Sequence, residues 1–386
     1  MIIKKLSEIC TIRTGKHDAN HAVKGGKYRF YTCSSQFSYC DTKSFEGESI
    51  IVPGNGDIGL VFYYNGEFDA YQRTYVLSDI KINAKFLYYH MLLKWRYVND
   101  RKKYGSTVKY VRMANFTSYE IPVPSSDEQE RIVAKIEELF SQLDASVAEL
   151  QAAKKRLKVY RQAVLKEAFE GIDAPIKRLE DLCYFITKGT TPPKTSITNS
   201  DTGIPFIKVY NLTFNNTLDF SIDPTFIDED THRGFLSRSI TLPGDVLMNI
   251  VGPPMGKVSI VPDTYPEWNI NQAIVRFRCL DELDNKYLAY YLGYVGTVEK
   301  MKSKAKATAG QFNLTLEICR NLTIPVPSYS QQEEIVTKIE SRLSVCDSIE
   351  QTVDTALQQA EALRQSILKQ AFEGGAGLIE GRQKAE

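Results

Sequence analysis

No complete catalytic signature occurs anywhere in the chain. It contains no Walker-type GxxxxGK[ST] string, and no GxGxxG lies between a strand and a helix, which removes the common backbone cradles for nucleotide phosphates. Histidine is scarce, at 4 in 386 residues. His17 and His21 stand at i and i+4, a metal-binding spacing on a helix, but their segment reads as a loop with no evident third ligand, so a surface turn is expected. The 7 cysteines (Cys10, Cys33, Cys40, Cys183, Cys279, Cys319 and Cys346) are odd in number, scattered and never arranged as CxxC. That pattern argues against a disulfide framework and a structural zinc, and suits a reducing cytoplasm. Behind Met1-Ile-Ile-Lys-Lys there is no apolar signal core, and no apolar run approaches the ~20 residues needed to span a bilayer. A cytoplasmic protein with no membrane association is the expectation. Charge of one sign is also lacking: the formal net charge is +1 with 25% charged residues, so any basic surface must be local.

What the chain does have is a repeat. Ile121-Pro-Val-Pro opens a run ending Leu165-Lys-Glu-Ala-Phe-Glu-Gly171, and Ile324-Pro-Val-Pro opens another ending Leu368-Lys-Gln-Ala-Phe-Glu-Gly374, so 324 − 121 and 374 − 171 both give 203. Laid over each other without a gap, the two 51-residue copies agree at 23 positions. The chain therefore divides into two similar halves. Outside the copies, Ile176-Lys-Arg-Leu-Glu-Asp-Leu-Cys183 echoes Ile3-Lys-Lys-Leu-Ser-Glu-Ile-Cys10, and Lys286-Tyr-Leu-Ala-Tyr-Tyr-Leu matches Lys85-Phe-Leu-Tyr-Tyr-His-Met. Between these echoes, residues 203–285 share few identities with the first half, so the ends of each domain are alike and the centres are not.

Residues 1–120 read as mixed α/β. The stretch from Ser49 to Gly66 holds two β-branched and aromatic runs separated by glycine turns, which predicts a hairpin, and the run from Phe86 to Trp95 predicts a helix. Pro122 and Pro124 force extended backbone, and Ser126-Asp-Glu-Gln129 fits a capping box in which Gln129 reaches back to the serine. A helix then runs to Gly171, a C-cap, with apolar residues at Ile132, Ile136, Leu139, Leu143, Val147, Leu150, Leu157 and Val164. Its ~44 residues at ~1.5 Å each make a rod of roughly 66 Å. A second rod starts at Ser330-Gln-Gln-Glu333, with Ile335, Ile339, Leu343, Cys346, Ile349, Val353, Leu357, Ala360, Leu363 and Ile367 as its stripe. Steps of three and four are coiled-coil spacing, and with one globular domain between the rods, antiparallel pairing is predicted. Two arrangements compete with it: each rod folding back on its own domain, or the rods joining a homodimer.

Val251-Gly-Pro-Pro-Met is superficially like the Asn/Asp-Pro-Pro-aromatic loop of amino-methyltransferases, but lacks both the polar residue that holds the amine and the stacking aromatic. Cationic and amide residues are the stronger signal. Lys94, Arg96, Arg101, Lys102, Lys103, Lys109 and Arg112 crowd one segment, Lys300, Lys302, Lys304 and Lys306 another, and the 203 offset lays 304–306 over 101–103. Such recurrence points to two phosphate-binding surfaces, against the plainer reading of a solvated basic face. Base-edge readers need amide, hydroxyl or basic side chains. Gln72, Arg73, Lys109, Arg112, Lys188, Lys208, Asn211, Gln272, Gln311 and Asn313 qualify.

The pattern resembles the DNA specificity subunit of type I restriction-modification systems. The carriers are Ile121-Pro-Val-Pro-Ser-Ser-Asp-Glu-Gln-Glu-Arg-Ile-Val-Ala-Lys-Ile, Ile324-Pro-Val-Pro-Ser-Tyr-Ser-Gln-Gln-Glu-Glu-Ile-Val-Thr-Lys-Ile and the closing Leu-Lys-x-Ala-Phe-Glu-Gly, in order and in both copies. One departure is Gln331 in place of Glu128, expected to matter little while Gln332 or Glu333 remains as cap partner. The implied fold is α+β: two mixed α/β target-recognition domains separated by two long helices packed as an antiparallel coiled coil, pseudo-twofold within one chain. The divisions are 1–124 for the first domain, 125–173 for the first helix, 174–327 for the second domain, 328–374 for the second helix and 375–386 for a flexible tail. The resemblance also implies a non-catalytic subunit whose domains each read half of a bipartite site on double-stranded DNA. Its helices would dock methyltransferase subunits, commonly two, and restriction and motor subunits would join them. S-adenosylmethionine, ATP and Mg are then expected on the partners, with no cofactor or metal on this chain. Two other classes compete: a coiled-coil interaction scaffold without DNA specificity, and a stand-alone DNA-modifying enzyme, which lacks its motif.

Overall fold

The computed structural model describes residues 2–100, 104–105, 108–198, 202–308 and 311–373. Arg101, Lys102, Lys103 and the 375–386 tail lie outside the described residues. The chain forms two compact units, one of Met1–Gln151 with Asp354–Glu386 and one of Ala152–Val353. Both long helices therefore contribute to both units.

In the first unit the elements that matter are β1 (Thr11–Thr14), β2 (Glu48–Pro53), β3 (Phe62–Asn65), β4 (Thr74–Ser78), α1 (Ala84–Asp100), α2 (Met113–Thr117) and the long α3 (Ser126–Phe169). The strands form an antiparallel sheet in the order β1-β4-β2-β3, with Ile51 opposite Phe62 in the hairpin and Thr14 opposite Tyr75 at the sheet's edge. In β2, Ile50, Ile51 and Val52 are all fully buried, because α1 covers one face and a smaller aromatic cluster around Tyr31 and Phe68 covers the other. The second unit repeats the plan with β5 (Cys183–Lys188), β6 (Val246–Asn249), β7 (Val258–Ile260), β8 (Ile274–Cys279), α4 (Asn285–Gly293), α5 (Leu316–Arg320) and the long α6 (Tyr329–Glu373). Its sheet order is β5-β8-β6-β7, the same connection pattern. The centres that share few identities thus share a topology.

Each sequence echo has a structural reason. Ile2–Lys5 pairs antiparallel with Glu120–Val123, and Ile176–Arg178 pairs with Thr323–Pro325, so the opening and closing motifs of each half are two strands of one ribbon. Proline is tolerated because the ribbon has only two strands and each has a free edge.

The helix starts differ from the expected capping box. Ser125, outside α3, accepts the Glu128 N–H, while Gln129 is buried and faces inward: its carbonyl accepts the Asn83 N–H (2.9 Å) and its amide donates to the Pro124 carbonyl (3.0 Å). Gln332 does the same in the second unit, accepting from Asp284 N–H (2.9 Å) and donating to the Glu282 and Pro327 carbonyls. The box partner in α6 is Gln331, which accepts from Ser328, so the departure from Glu128 falls on the capping residue itself. Both repeated glutamines are brackets that tie a long helix to the N-terminus of a domain helix. Beside each bracket a lysine of the domain helix meets a glutamate of the long one, Lys85 with Glu137 (2.6 Å) and Lys286 with Glu340 (2.8 Å).

Within each unit the long helices run antiparallel. In the first, Val133, Ile136, Phe140 and Leu143 of α3 share a core with Ile367, Leu368 and Ala371 of α6, and Arg364 pairs with Asp144. In the second, Arg161 binds Asp347 (2.5 Å) and Glu350 (3.0 Å), and Arg342 binds Glu167 (2.7 Å). Partner numbers rise on one helix as they fall on the other. Arg161 and Arg364, like Asp347 and Asp144, are related by the repeat offset of 203.

The stripe buries Ile136, Leu143, Val164, Ile339, Val353 and Ile367, with Ile132, Leu139, Ile335 and Leu343 packed at its margin. Val147, Leu150, Leu157 and Leu357 are half-buried, while Ile349 and Leu363 are exposed, at 44% and 50%. The long helices also pack on the globular part of each unit. Phe169 packs on Tyr287 and Tyr291 of α4, and Phe372 packs on Phe86 and His90 of α1. The repeated Ala-Phe-Glu-Gly ending is this docking contact, and Gly171 follows it at φ +81°, a conformation glycine adopts without strain.

Candidate nucleic-acid interface

In the first unit, the end of β2, the turn before β4 and the segment entering α2 converge at one corner. The Gly54 N–H donates to Arg73 C=O (2.8 Å), Val111 N–H to Gly54 C=O (2.9 Å) and Gly56 N–H to Lys109 C=O (3.0 Å). A Cβ on Gly54 would sit 2.3 Å from the Arg73 oxygen, so in this unit the two backbones approach more closely than a side chain there would permit. These bonds bring exposed Gln72, Arg73, Lys109 and Arg112 together from places far apart in the chain. The Arg112 guanidinium lies 4.2 Å from the centroid of the Tyr104 ring and donates to the Tyr110 hydroxyl (3.0 Å), a bond that raises its pKa above the ordinary value. Lying against the Tyr104 ring and bonded to the hydroxyl of Tyr110, which stacks on Tyr104, it is a cation oriented at a surface.

The second unit builds the same corner from different residues. Ile250 N–H donates to Ala273 C=O (2.9 Å), and Leu314 N–H to Ile250 C=O (2.8 Å). The equivalent hydrogen bonds superpose Gln72 on Gln272, Arg73 on Ala273, Gly54 on Ile250, Tyr110 on Asn313 and Arg112 on Thr315. An open cavity of about 1030 Å³ lies here, and Lys188, Gln272, Lys304 and Asn313 all line it. Thr191 donates to the Gln272 carbonyl oxygen, leaving that side chain its N–H donors. Lys306 and Gln311 lie on the strands Lys306–Thr308 and Gln311–Asn313, and the latter pairs with Val251–Gly252 at the cavity.

Three expected residues have other partners. Lys302 pairs with Glu299 (2.9 Å). Lys208 lies 3.7 Å from Asp223, whose pKa is lowered by the Tyr210 hydroxyl and by Lys208. Asn211 is a correction: it is buried, its carbonyl accepts Lys208 N–H and its amide donates to the Asp219 and Ile222 carbonyls, so it clamps a loop and has no donor left for a base. Tyr104, Thr315 and Asn321 are corner residues that were not anticipated. The Pro253-Pro254 segment is a closed turn, its carbonyls at Val251 and Pro254 held by Asn249.

Two copies of one α+β unit, each with a polar corner and differing in what lines it, define a tandem recognition protein. The family model for the type I restriction modification DNA specificity domain matches residues 2–155 and 173–359, and the chain belongs to that family. It is 27% identical to the type I restriction enzyme EcoDI specificity subunit of Escherichia coli, across 96% of this chain and 87% of that one. With the EcoBI specificity subunit of the same species the identity is 26%, across 85% and 73%. Among solved structures, a chain from a study of complex assembly and conformational transition of the type I R-M system matches with TM-score 0.72 at 19% identity, covering 97% of this chain and 98% of that one. The HsdS subunit from Thermoanaerobacter tengcongensis matches with TM-score 0.50 at 20% identity, covering 97% of each. These likenesses establish the fold. Among the described residues no helix is long and apolar enough to cross a membrane.

Proposed function

We propose that this chain is the non-catalytic DNA-reading subunit of a type I restriction-modification complex, each unit contacting one half of a bipartite, asymmetric site on double-stranded DNA. The observation that carries this is the corner built twice: its framework hydrogen bonds are the same in both units, while the side chains they position change from Arg73, Tyr110 and Arg112 to Ala273, Asn313 and Thr315. An equal frame with unequal readers suits two different half-sites. Arg112 set against tyrosines, with Arg73 and Lys109 near it, suits phosphate and guanine contacts on the first, and amides and hydroxyls suit base edges on the second. The paired helices hold the readers and offer partners a surface; Val159, Tyr160, Val345 and Ile349 are exposed apolar residues on that helix pair in the second unit. Methyltransferase subunits, two by expectation, dock there, and they and the restriction subunits hold the S-adenosylmethionine, ATP and Mg.

The test is duplex binding by this chain with its methyltransferase partner across a salt series. Sequence-selective binding whose log affinity falls linearly with log salt is the expected result. Binding that is absent or indifferent to sequence would leave only the protein-interaction scaffold.

A further inference from the structure

One cluster lies outside the DNA corner yet touches it. His17 and His21, read from sequence as a surface turn without a third ligand, have one: Asp69, in the middle of the strand Phe68–Ala70, is fully buried and lies 3.4 Å from His17 Nε2. The two imidazoles stack with centroids 3.8 Å apart and planes 7° from parallel, and the ligand atoms of all three residues lie within 4.8 Å of one another. The Thr42 hydroxyl bridges the group, 2.7 Å from both His21 Nε2 and Asp69 Oδ2. Bonds of about 2.0–2.1 Å to a tetrahedral ion place its ligand atoms roughly 3.4 Å apart. The His17–Asp69 pair already has that spacing, and the His21 ring reaches the same ion by leaving its stack on His17 and its bond to Thr42.

Charge and the internal repeat both point the same way. A fully buried carboxylate needs a counter-charge, and among the described residues Asp69 has no ionic partner except His17, a ring that is cationic only when protonated. In the second unit the equivalent residue is Asn269, also fully buried, and there the amide satisfies itself with His232 (3.1 Å), Ser239 (2.7 Å) and the Leu236 carbonyl. Asp69 likewise accepts from the next residue's N–H, Ala70 (2.8 Å), as Asn269 does from Ile270 (3.0 Å), and from the Thr42 hydroxyl, but these neutral donors leave its charge matched only by the facing imidazoles.

We propose that His17, His21 and Asp69 bind one divalent transition metal ion of the zinc class, with solvent completing the tetrahedron. Two imidazoles and a carboxylate are a borderline-soft donor set that suits such an ion and not Mg or Ca. The ion braces the DNA corner, because the carbonyl of His17 accepts the Gln72 N–H (2.9 Å), and Gly15 beside it packs so closely on Ala70 that a Cβ would lie 1.8 Å from its oxygen. That consequence rests on the DNA reading of the corner; the metal site does not.

The experiment uses the untagged full chain, stripped with EDTA and titrated with Co²⁺ by visible absorption and with Zn²⁺ by calorimetry. One ion per chain with tetrahedral cobalt bands is expected, and Asp69→Asn, which keeps the side chain's shape and installs the residue that position 269 holds, should weaken binding at least tenfold, as should His21→Gln, with circular dichroism of each variant matching the parent. No saturable binding would overturn the proposal. So would binding that these variants leave unchanged, or that disappears on cysteine alkylation, since either result assigns the ion elsewhere. Loss of selectivity at one half-site on chelation would join the ion to recognition; metal binding without that effect would leave the site standing and remove the brace.

Discussion

At the scale of the residue, the corner is defined by what a side chain has left to offer. Lys208, Lys302 and Asn211 looked equivalent to Arg112 in the sequence, yet Asp223, Glu299 and three backbone groups occupy them. Arg112 instead is held by two rings at the surface. Arg112→Ala should lower the slope of log affinity against log salt by about 1 if it meets a phosphate, or relax one base position by about 1–3 kcal/mol if it meets a guanine; an unchanged salt slope and unchanged selectivity would place it outside the interface. His90 makes a separate prediction. Burial pushes its pKa from 6.5 to about 4, with its Nδ1 3.0 Å from the Tyr119 hydroxyl. Above pH 6.5 the ring is neutral folded and unfolded. Between 6.5 and about 4 the unfolded chain takes up a proton that the folded chain refuses, so stability falls, by about 3 kcal/mol in all, and levels off below. Unfolding followed from pH 7 to pH 4 should show a steeper decline in the parent than in His90→Gln.

At the scale of the element, the repeat was legible and its purpose was not. The 203 offset and the apolar spacing are local signals, so the two long helices, the β2–β3 hairpin and α1 could be read directly. The brackets could not, because Gln129 looks like a capping residue until Asn83, 46 positions away, is found against it. Separation in sequence also hid Asp69 from His17 and His21, and dissimilar centres hid the shared sheet order: topology is preserved by backbone pairing and burial, which different apolar residues satisfy equally well. Gln129→Ala and Gln332→Ala each leave a backbone N–H and at least one carbonyl without these partners in partly buried surroundings, so each should cost about 1–3 kcal/mol. Denaturant unfolding of the single variants checks this; losses below ~0.5 kcal/mol would mean that the brackets are incidental.

At the scale of the whole molecule, one chain carries two copies of a recognition frame, and the sequence alone located both by their ends. It could not say which side chains share a corner, since Gln72, Lys109 and Arg112, like Lys188, Gln272 and Asn313, meet only through hydrogen bonds between distant segments. The central claim is that each corner reads its own half of the target. It is tested most directly by mapping genomic adenine methylation in cells carrying the parent chain, no chain, or a variant with Arg73, Lys109 and Arg112 replaced by alanine. The account predicts a split motif that vanishes without the chain, and in the variant loses definition in one half while the other half and the spacer stay fixed. A variant that alters both halves alike, or neither, would contradict it.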